Sequence, residues 1–258
     1  MRVNYHTHTS RCRHAQGAEE DYVTSALRSQ IDILGFSDHA PFPRDDFGFR
    51  MPFEELQEYL DTVDGLREKY AADLIILKGL EIEYLPEYTE YYEELLTKSK
   101  LDYLLLGQHF YRTGDGRLHY TAGISDTESC IDYARSVAEA MQTGYFKMAA
   151  HPDLFMMNFL PWDGNCERAA DLILNAAVKT NTVLEYNANG FRREKKEYPD
   201  GPRYQYPYMP FWKRAASAGM PAIVGSDCHD PSQVWDYAVG YAYEQLKDLK
   251  IVPVFSLD

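Results

Sequence analysis

The sequence predicts a single α/β domain: a closed barrel of parallel strands wrapped by helices. Three observations carry this. Apolar, β-branched runs alternate with longer helix-like segments along all 258 residues, as in parallel strands joined by helical crossovers. The strand candidates are nearly continuous apolar runs, which suits a sheet buried on both faces. Six of the seven strand candidates end in a metal-type ligand: His6 and His8, His39, Glu81, His109, His151, and Asp227 with His229. The first two observations fit an open doubly wound sheet equally well. The third decides, because a closed barrel gathers the carboxyl ends of its strands on one rim, whereas an open sheet spreads them along a line.

The elements follow in order. Residues 3–8 form the first strand candidate, and strand alternation points His6 and His8 to one side. On its own, that pair reads equally well as surface histidines near a terminus. His14 lies six residues further on. A helix is expected over 19–30, then a strand over 31–39 ending Phe36-Ser37-Asp38-His39. A Pro- and Phe-rich loop, 40–52, precedes an amphipathic helix over 53–71. Its Leu56, Tyr59, Leu60, Val63, Leu66 and Tyr70 recur at helical spacing. The third strand, 74–83, ends Gly79-Leu80-Glu81-Ile82-Glu83, and a helix follows over 89–98. The fourth strand, 103–109, leads to a Gly-rich turn at 113–117. The next helix starts near Asp126, a suitable N-cap, and stops near Gly144.

The fifth strand, 146–151, ends Ala149-Ala150-His151. A helix over 166–180 leads to the sixth strand, 182–187, followed by Ala188-Asn189-Gly190-Phe191-Arg192-Arg193. The Pro- and Tyr-rich stretch 198–210 reads as loop and 211–219 as a short helix. The seventh strand, 221–229, ends Ser226-Asp227-Cys228-His229, and a last helix spans roughly 232–249. No repeat or linker divides the chain.

Composition narrows the function. With Lys+Arg 26 against Asp+Glu 40, the net charge is −14, which argues against general affinity for nucleic acid or anionic membranes. A small phosphorylated substrate met by a few local cations stays compatible. No signal-peptide pattern opens the chain and no apolar run has membrane-spanning length, so a cytoplasmic protein is expected. The four cysteines are widely spaced, without a CxxC pair, and are expected as free thiols. Seven of the eight histidines fall at or just beyond strand ends; only His119 stands apart.

The motifs His6-Thr7-His8, Cys12-Arg13-His14-Ala15, Ser37-Asp38-His39, Gly79-Leu80-Glu81, Gln108-His109, Ala150-His151-Pro152 and Asp227-Cys228-His229 resemble those of the polymerase and histidinol phosphatase (PHP) superfamily. Cys12 to Ala15, Arg50-Met51 and the run from Glu185 to Arg193 resemble its histidinol-phosphate phosphatase branch. The resemblance implies a distorted (β/α)7 TIM-like barrel with three divalent transition metals, Zn, Fe or Mn, at the rim. One metal would be held by His6, His8, Glu81 and Asp227. Glu81 would bridge to a second, held also by His109 and His151, and His14, His39 and His229 would hold the third. Imidazole and carboxylate donors suit those metals, and closely spaced metals can share a hydroxide and clamp a phosphoryl group. The implied activity is release of phosphate from L-histidinol phosphate in histidine biosynthesis. Alternatives are another small phosphate ester (a nucleotide, sugar phosphate or phosphotyrosine) or a non-catalytic metal-binding domain.

Glu81, Asp227 and Arg192 form the expected catalytic set. Arg192, Arg193, Lys195 and Lys196 are either a solvated loop paired with Glu194 and Glu197 or a phosphate-capture cluster; in the second reading Gly190 turns sharply and swings Arg192 over the metals. Arg50 is the second candidate for that role, alone or shared with Arg192; Arg193 is a further substrate-binding candidate, and His119 is either a solvated loop residue or a substrate-binding general acid. Glu83 and Asp38 are expected to support neighbouring histidines or to hold rim and turn structure. Cys12 is expected near the site without being needed for it. Cys228 is expected to face away from the metals, by alternation.

Overall fold

The computed structural model describes residues 1–257. Seven strands, β1 (Val3–Asn4), β2 (Ile33–Phe36), β3 (Ile75–Ile82), β4 (Tyr103–Leu106), β5 (Met148–Ala149), β6 (Val183–Asn187) and β7 (Ala222–Gly225), pair side by side in chain order. Every neighbouring pair is parallel. The barrel is nearly closed. Between β7 and β1 the only ladder contact is a single parallel bridge, Thr7 with Cys228, where the His8 N–H donates to the Cys228 carbonyl at 3.0 Å. Asn4 reinforces this seam: its Oδ1 accepts from the Ser226 N–H at 3.2 Å and its Nδ2 donates to the Val234 carbonyl at 3.1 Å.

Seven helices cover the outside: α1 (Glu19–Arg28), α2 (Leu56–Lys69), α3 (Thr89–Thr97), α4 (Ser129–Gln142), α5 (Gly164–Thr180), α6 (Met209–Ser217) and α7 (Tyr237–Leu249). On α2 the expected stripe, Leu56, Tyr59, Leu60, Val63 and Leu66, is buried. The main core lies between helices and barrel. A smaller cluster fills the barrel itself: Val3, Tyr5, Tyr103, Leu105, Met148, Ala150 and Ile223, with Val254, Phe255 and Leu257 of the C-terminal tail packed against it. All four cysteines are free and buried. No helix of the described residues is long and apolar enough to cross a membrane.

Three expectations change. Strands are shorter than the apolar runs because the rim residues turn out of the ladder toward one another. The helix expected from Asp126 begins at Ser129, since the Asp126 carboxylate accepts the Ser129 N–H at 2.8 Å and caps a preceding turn. The stretch 198–210 is not all loop: Lys196–Tyr198 pairs antiparallel with Gly201–Arg203 around a turn in which Gly201 has φ +104°. The turn at 113–117 likewise joins a hairpin, Phe110–Arg112 with Leu118–Tyr120. Three-residue strands carry too little alternation to read from sequence.

Inside the barrel, Tyr103 places its hydroxyl 2.7 Å from the Tyr5 carbonyl and 3.0 Å from that of Phe36. Its ring occupies the space a side chain at Gly79 would need; a Cβ there would stand 2.5 Å from ring carbons. Gly79→Ala is therefore expected to destabilise the protein by about 1–3 kcal/mol, the usual cost of overpacking, read as a lower urea midpoint at unchanged m. An unchanged midpoint would show that the ring can move aside.

Candidate metal centre

The strand ends deliver their side chains to one cleft of about 710 Å³ on the carboxyl rim. At its floor, Glu81 on β3 is 1% exposed. Its Oε2 lies 2.9 Å from His39 Nδ1 and 3.4 Å from the Nε2 atoms of both His6 and His8. Despite those three nitrogens, Oε2 accepts no hydrogen bond. Its Oε1 lies 3.1 Å from His151 Nε2 and 3.7 Å from His109 Nε2. Asp227 Oδ1 stands 3.6 Å from His6 Nε2 and 3.3 Å from His8 Nε2. Nearer the mouth, His14 Nε2 and His229 Nε2 face each other at 2.9 Å. The nine expected ligands are thus gathered in one cluster.

The polypeptide around them is shaped to admit them. A Cβ at Gly107 would collide with the Glu81 carboxylate, and one at Gly225 with that of Glu185. His151 and Asp227 adopt φ +30° and +46°, which side-chain-bearing residues rarely hold without surrounding constraint.

Neighbouring groups hold the rings by their other nitrogen. His6 Nδ1 is 2.7 Å from Glu185 Oε1, His109 Nδ1 is 3.0 Å from Glu83 Oε1, and His14 Nδ1 is 2.9 Å from the Cys12 carbonyl. A carboxylate or carbonyl at one ring nitrogen fixes the proton there and leaves the other as a donor for metal. Asp227 is held in turn: its Oδ2 accepts from Asn187 Nδ2 at 3.0 Å and Asn189 Nδ2 at 3.2 Å. Glu185, wholly buried, also accepts from the His151 N–H at 2.9 Å and from Asn187 Nδ2 at 2.8 Å.

The charge states follow. Burial opposes ionisation of Glu81, yet His6, His39 and His109 hold its pKa well below the ordinary range; Asp227 is held low against burial by His6, His8 and His229. Burial lowers His8, with His39 and His229 adding to it, and pushes His39 down to about 4. For His6, burial is outweighed by Glu185, Asp227 and Glu81, which raise its pKa well above the usual value. Two ionised carboxylates beside the imidazoles of His8 and His39, which burial keeps neutral, form a set able to bind cations. The Nε2 atoms of His6 and His8, 3.0 Å apart, need a proton or a cation between them. The buried Nδ1 atoms of His8 and His151 have no hydrogen-bond partner.

Three groups have ligand atoms within 4.8 Å of one another: His6, His8 and Glu81; His39, Glu81 and His109; His14, His39 and His229. These residues fit divalent metal. His39 belongs to two of these groups and so joins them. A fourth group joins His8, Cys12 and His229. Burial, aided by Asp38, pushes the Cys12 thiol up to about 12, so it stays protonated and is a poor donor.

Other expectations need correction. Arg192 does not reach over the cluster. Its Nε donates to Asp236 Oδ2 at 2.8 Å, and its remaining amino groups donate to the Ser226 carbonyl and Oγ, the Gln233 carbonyl and Asp236 Oδ1. The guanidinium is spent on the segment that presents Asp227 and His229. Gly190 has no positive φ; the tight feature there is the Tyr206 backbone, which a Cβ would strike. Arg50 is 5% exposed and forms a paired contact with Glu83 at 3.1 and 3.1 Å, so it supports the Glu83–His109 contact. His119 does not line the cleft. It pairs across the hairpin with Tyr111, on the face opposite Phe110 and Tyr120, and is exposed. Asp38 touches no histidine ring; it accepts from the Thr9 N–H at 2.8 Å and Oγ1 at 2.7 Å. Cys228 lies in the main core, as alternation required. Arg50, Arg192 and Arg193 all line the cleft, and Arg193 is the exposed one, with a single hydrogen bond to Gln205 at 3.2 Å.

Sequence reasoning assigned no role to Glu185, although a carboxylate between Leu184 and Tyr186 in a buried strand is itself a signal. Asn187, which ends the one strand without a metal-type ligand, steadies Asp227 instead.

Barrel and rim together define a TIM-like barrel with a cluster of metal-type ligands on its carboxyl rim. The chain belongs to the PHP domain family, which matches residues 4–189. It is 28% identical over 249 residues, 95% of this chain and 92% of the relative, to a probable histidinol-phosphatase of Deinococcus radiodurans. It is 26% identical over 271 residues, 93% of this chain and 96% of the relative, to the histidinol-phosphatase of Bacillus subtilis. Its fold is similar to that of a histidinol phosphate phosphatase of Lactococcus lactis solved with zinc, L-histidinol and phosphate: TM-score 0.74 at 17% identity, covering 99% of this chain and 97% of that one.

Two outcomes test the supporting residues. Glu185→Gln keeps the shape but removes the charge from His6, and should weaken Zn²⁺ binding about 10- to 100-fold in a chelator competition titration. Unchanged affinity would deny Glu185 this role. Arg192→Ala should lower stability by about 2 kcal/mol, as expected for losing hydrogen bonds to a charged group, seen in urea denaturation. An unchanged midpoint with a large loss of phosphate-ester turnover would instead place the guanidinium on substrate.

Proposed function

We propose that the protein is a metal-dependent phosphomonoesterase that hydrolyses L-histidinol phosphate to L-histidinol and phosphate, a step of histidine biosynthesis. The observation that carries it is the convergence of nine imidazole and carboxylate donors at the floor of one open cleft. The names of relatives aligned over more than nine-tenths of the chain support the substrate. His6, His8, Glu81 and Asp227 would hold one divalent metal. Glu81, His109 and His151, with His39 adjacent, would hold a second, and His14, His39 and His229 a third. Bound there, such metals acidify coordinated water and neutralise phosphoryl oxygens.

The protein's own groups supply the remainder. Glu81 and Asp227 contribute two negative charges at the floor. Glu185, Glu83 and the two asparagines fix the donors, so little reorganisation is needed. Side-chain exposure rises from 0% at His6 and His8 to 12% at His39 and 23% at His229, so the ester would arrive from the His14–His229 side. Arg193, at the wall with one hydrogen bond to Gln205 and the Tyr206 ring 5.4 Å away, has no carboxylate partner among the described residues and is the guanidinium best placed to meet phosphoryl oxygens.

A panel of phosphate esters tests this, run on protein reconstituted with Mn²⁺, Zn²⁺ or Fe²⁺ and assayed for metal content. Up to three metals per chain are expected, with kcat/KM for histidinol phosphate well above that for mononucleotides or p-nitrophenyl phosphate. Tenfold preference for a nucleotide would overturn the substrate. One metal or none after reconstitution would overturn the centre.

A further inference from the structure

The cleft's mouth contains aromatic surface that the metal chemistry does not use. Phe47 and Phe49 line one part of it, and Phe110 and Tyr120 another. Phe49 is 71% exposed and Tyr120 54%, unusual for large rings beside a site. Phe49 also has φ +46°, directly after Gly48 at φ +71°. A bulky side chain in the left-handed region is an outlier that surrounding structure must impose.

The surroundings do impose it. Arg50, next in sequence, donates to the Ala40 carbonyl at 2.8 Å and the Gly48 carbonyl at 3.3 Å while paired with Glu83. Its guanidinium lies 5.5 Å from the Phe42 and Phe47 rings, and Phe47 packs 5.1 Å from Phe110. The base of the loop is therefore fixed while Phe49 projects. Its ring meets His14 at 5.5 Å and 76° between planes, beside a ligand of the outermost metal group. A second cue is electrostatic. Among the described residues, the only carboxylates lining the cleft are Glu81, Glu83 and Asp227, and each already faces ring nitrogens or Arg50. A cationic leaving group finds no free carboxylate there, and an aromatic face is the remaining partner.

We infer that Phe49, with Phe110 and Tyr120, selects the leaving group: a planar, cation-bearing ring stacked on the Phe49 face while its phosphate lies over the metal cluster. This rests on the phosphomonoesterase reading and adds a specificity-determining residue to it. Phe49 acts by positioning, so it should affect KM rather than kcat.

The test compares histidinol phosphate, phenyl phosphate and glycerol phosphate on wild type, Phe49→Ala and Phe49→Tyr holoenzyme, with calorimetric binding of L-histidinol as a readout independent of turnover. Phe49→Ala should raise KM for both ring-bearing esters about five- to tenfold and weaken L-histidinol binding by a similar factor. It should leave glycerol phosphate, kcat and metal content unchanged, and Phe49→Tyr should restore the wild-type pattern. Equal KM changes for ring-bearing and ring-free esters, or none, would overturn the inference. The substrate reading fails separately, if wild type does not favour histidinol phosphate; the phenyl and glycerol esters still decide the role of Phe49.

Discussion

Glu81 is the group on which the rest of the site depends. A carboxylate 1% exposed at the floor of a barrel is costly to ionise unless positive charge surrounds it. Here five imidazoles, His6, His8, His39, His109 and His151, come within 3.7 Å of its oxygens. They arrive from four different strand ends, and only a closed sheet brings those ends together. Barrel closure and the charge balance of Glu81 are thus one constraint seen from two sides.

The second layer shows how the first stays in place. Glu83, Asn187 and Asn189 come from strands or turns neighbouring the ligand they hold, whereas Glu185 on β6 reaches past β7 to His6 beyond β1. Arg50 braces Glu83, and Arg192 braces the segment carrying Asp227 and His229. Two of the three arginines expected on substrate, Arg50 and Arg192, are tied up as braces. A guanidinium with several fixed acceptors is well suited to tying a loop to a scaffold, and on an acidic chain such tethers are where buried positive charge goes.

Much of this was legible in the sequence. Polar residues interrupting apolar runs at their carboxyl ends pointed to the strand ends, the barrel and eight of the nine candidate ligands, because strand periodicity is a local rule; His14, in a loop, entered only through the resemblance to the PHP family. What was not legible depends on side-chain direction beyond the strand. Arg192 sits in a 3-10 turn, Asn189–Arg192, whose sense a linear pattern does not encode, so its aim was misjudged. His119 and Tyr120 occupy opposite faces of a three-residue strand, too short to show which faces the cleft. Asp38 was placed correctly next to His39, but its carboxylate turns to Thr9.

The seam between β1 and β7 has a further consequence. It is the weakest joint of the barrel, one backbone bridge with the Asn4 contacts, yet His6 and His8 lie on one side of it and Asp227 and His229 on the other. A metal ion shared across it would cross-link residue 8 to residue 227. An ion held only by the folded barrel stabilises it by mass action, by about 4 kcal/mol at a thousandfold excess over its Kd, close to the whole stability of a marginal domain. The catalytic ion would then also be the barrel's staple, and metal starvation would cost the cell folded protein as well as activity.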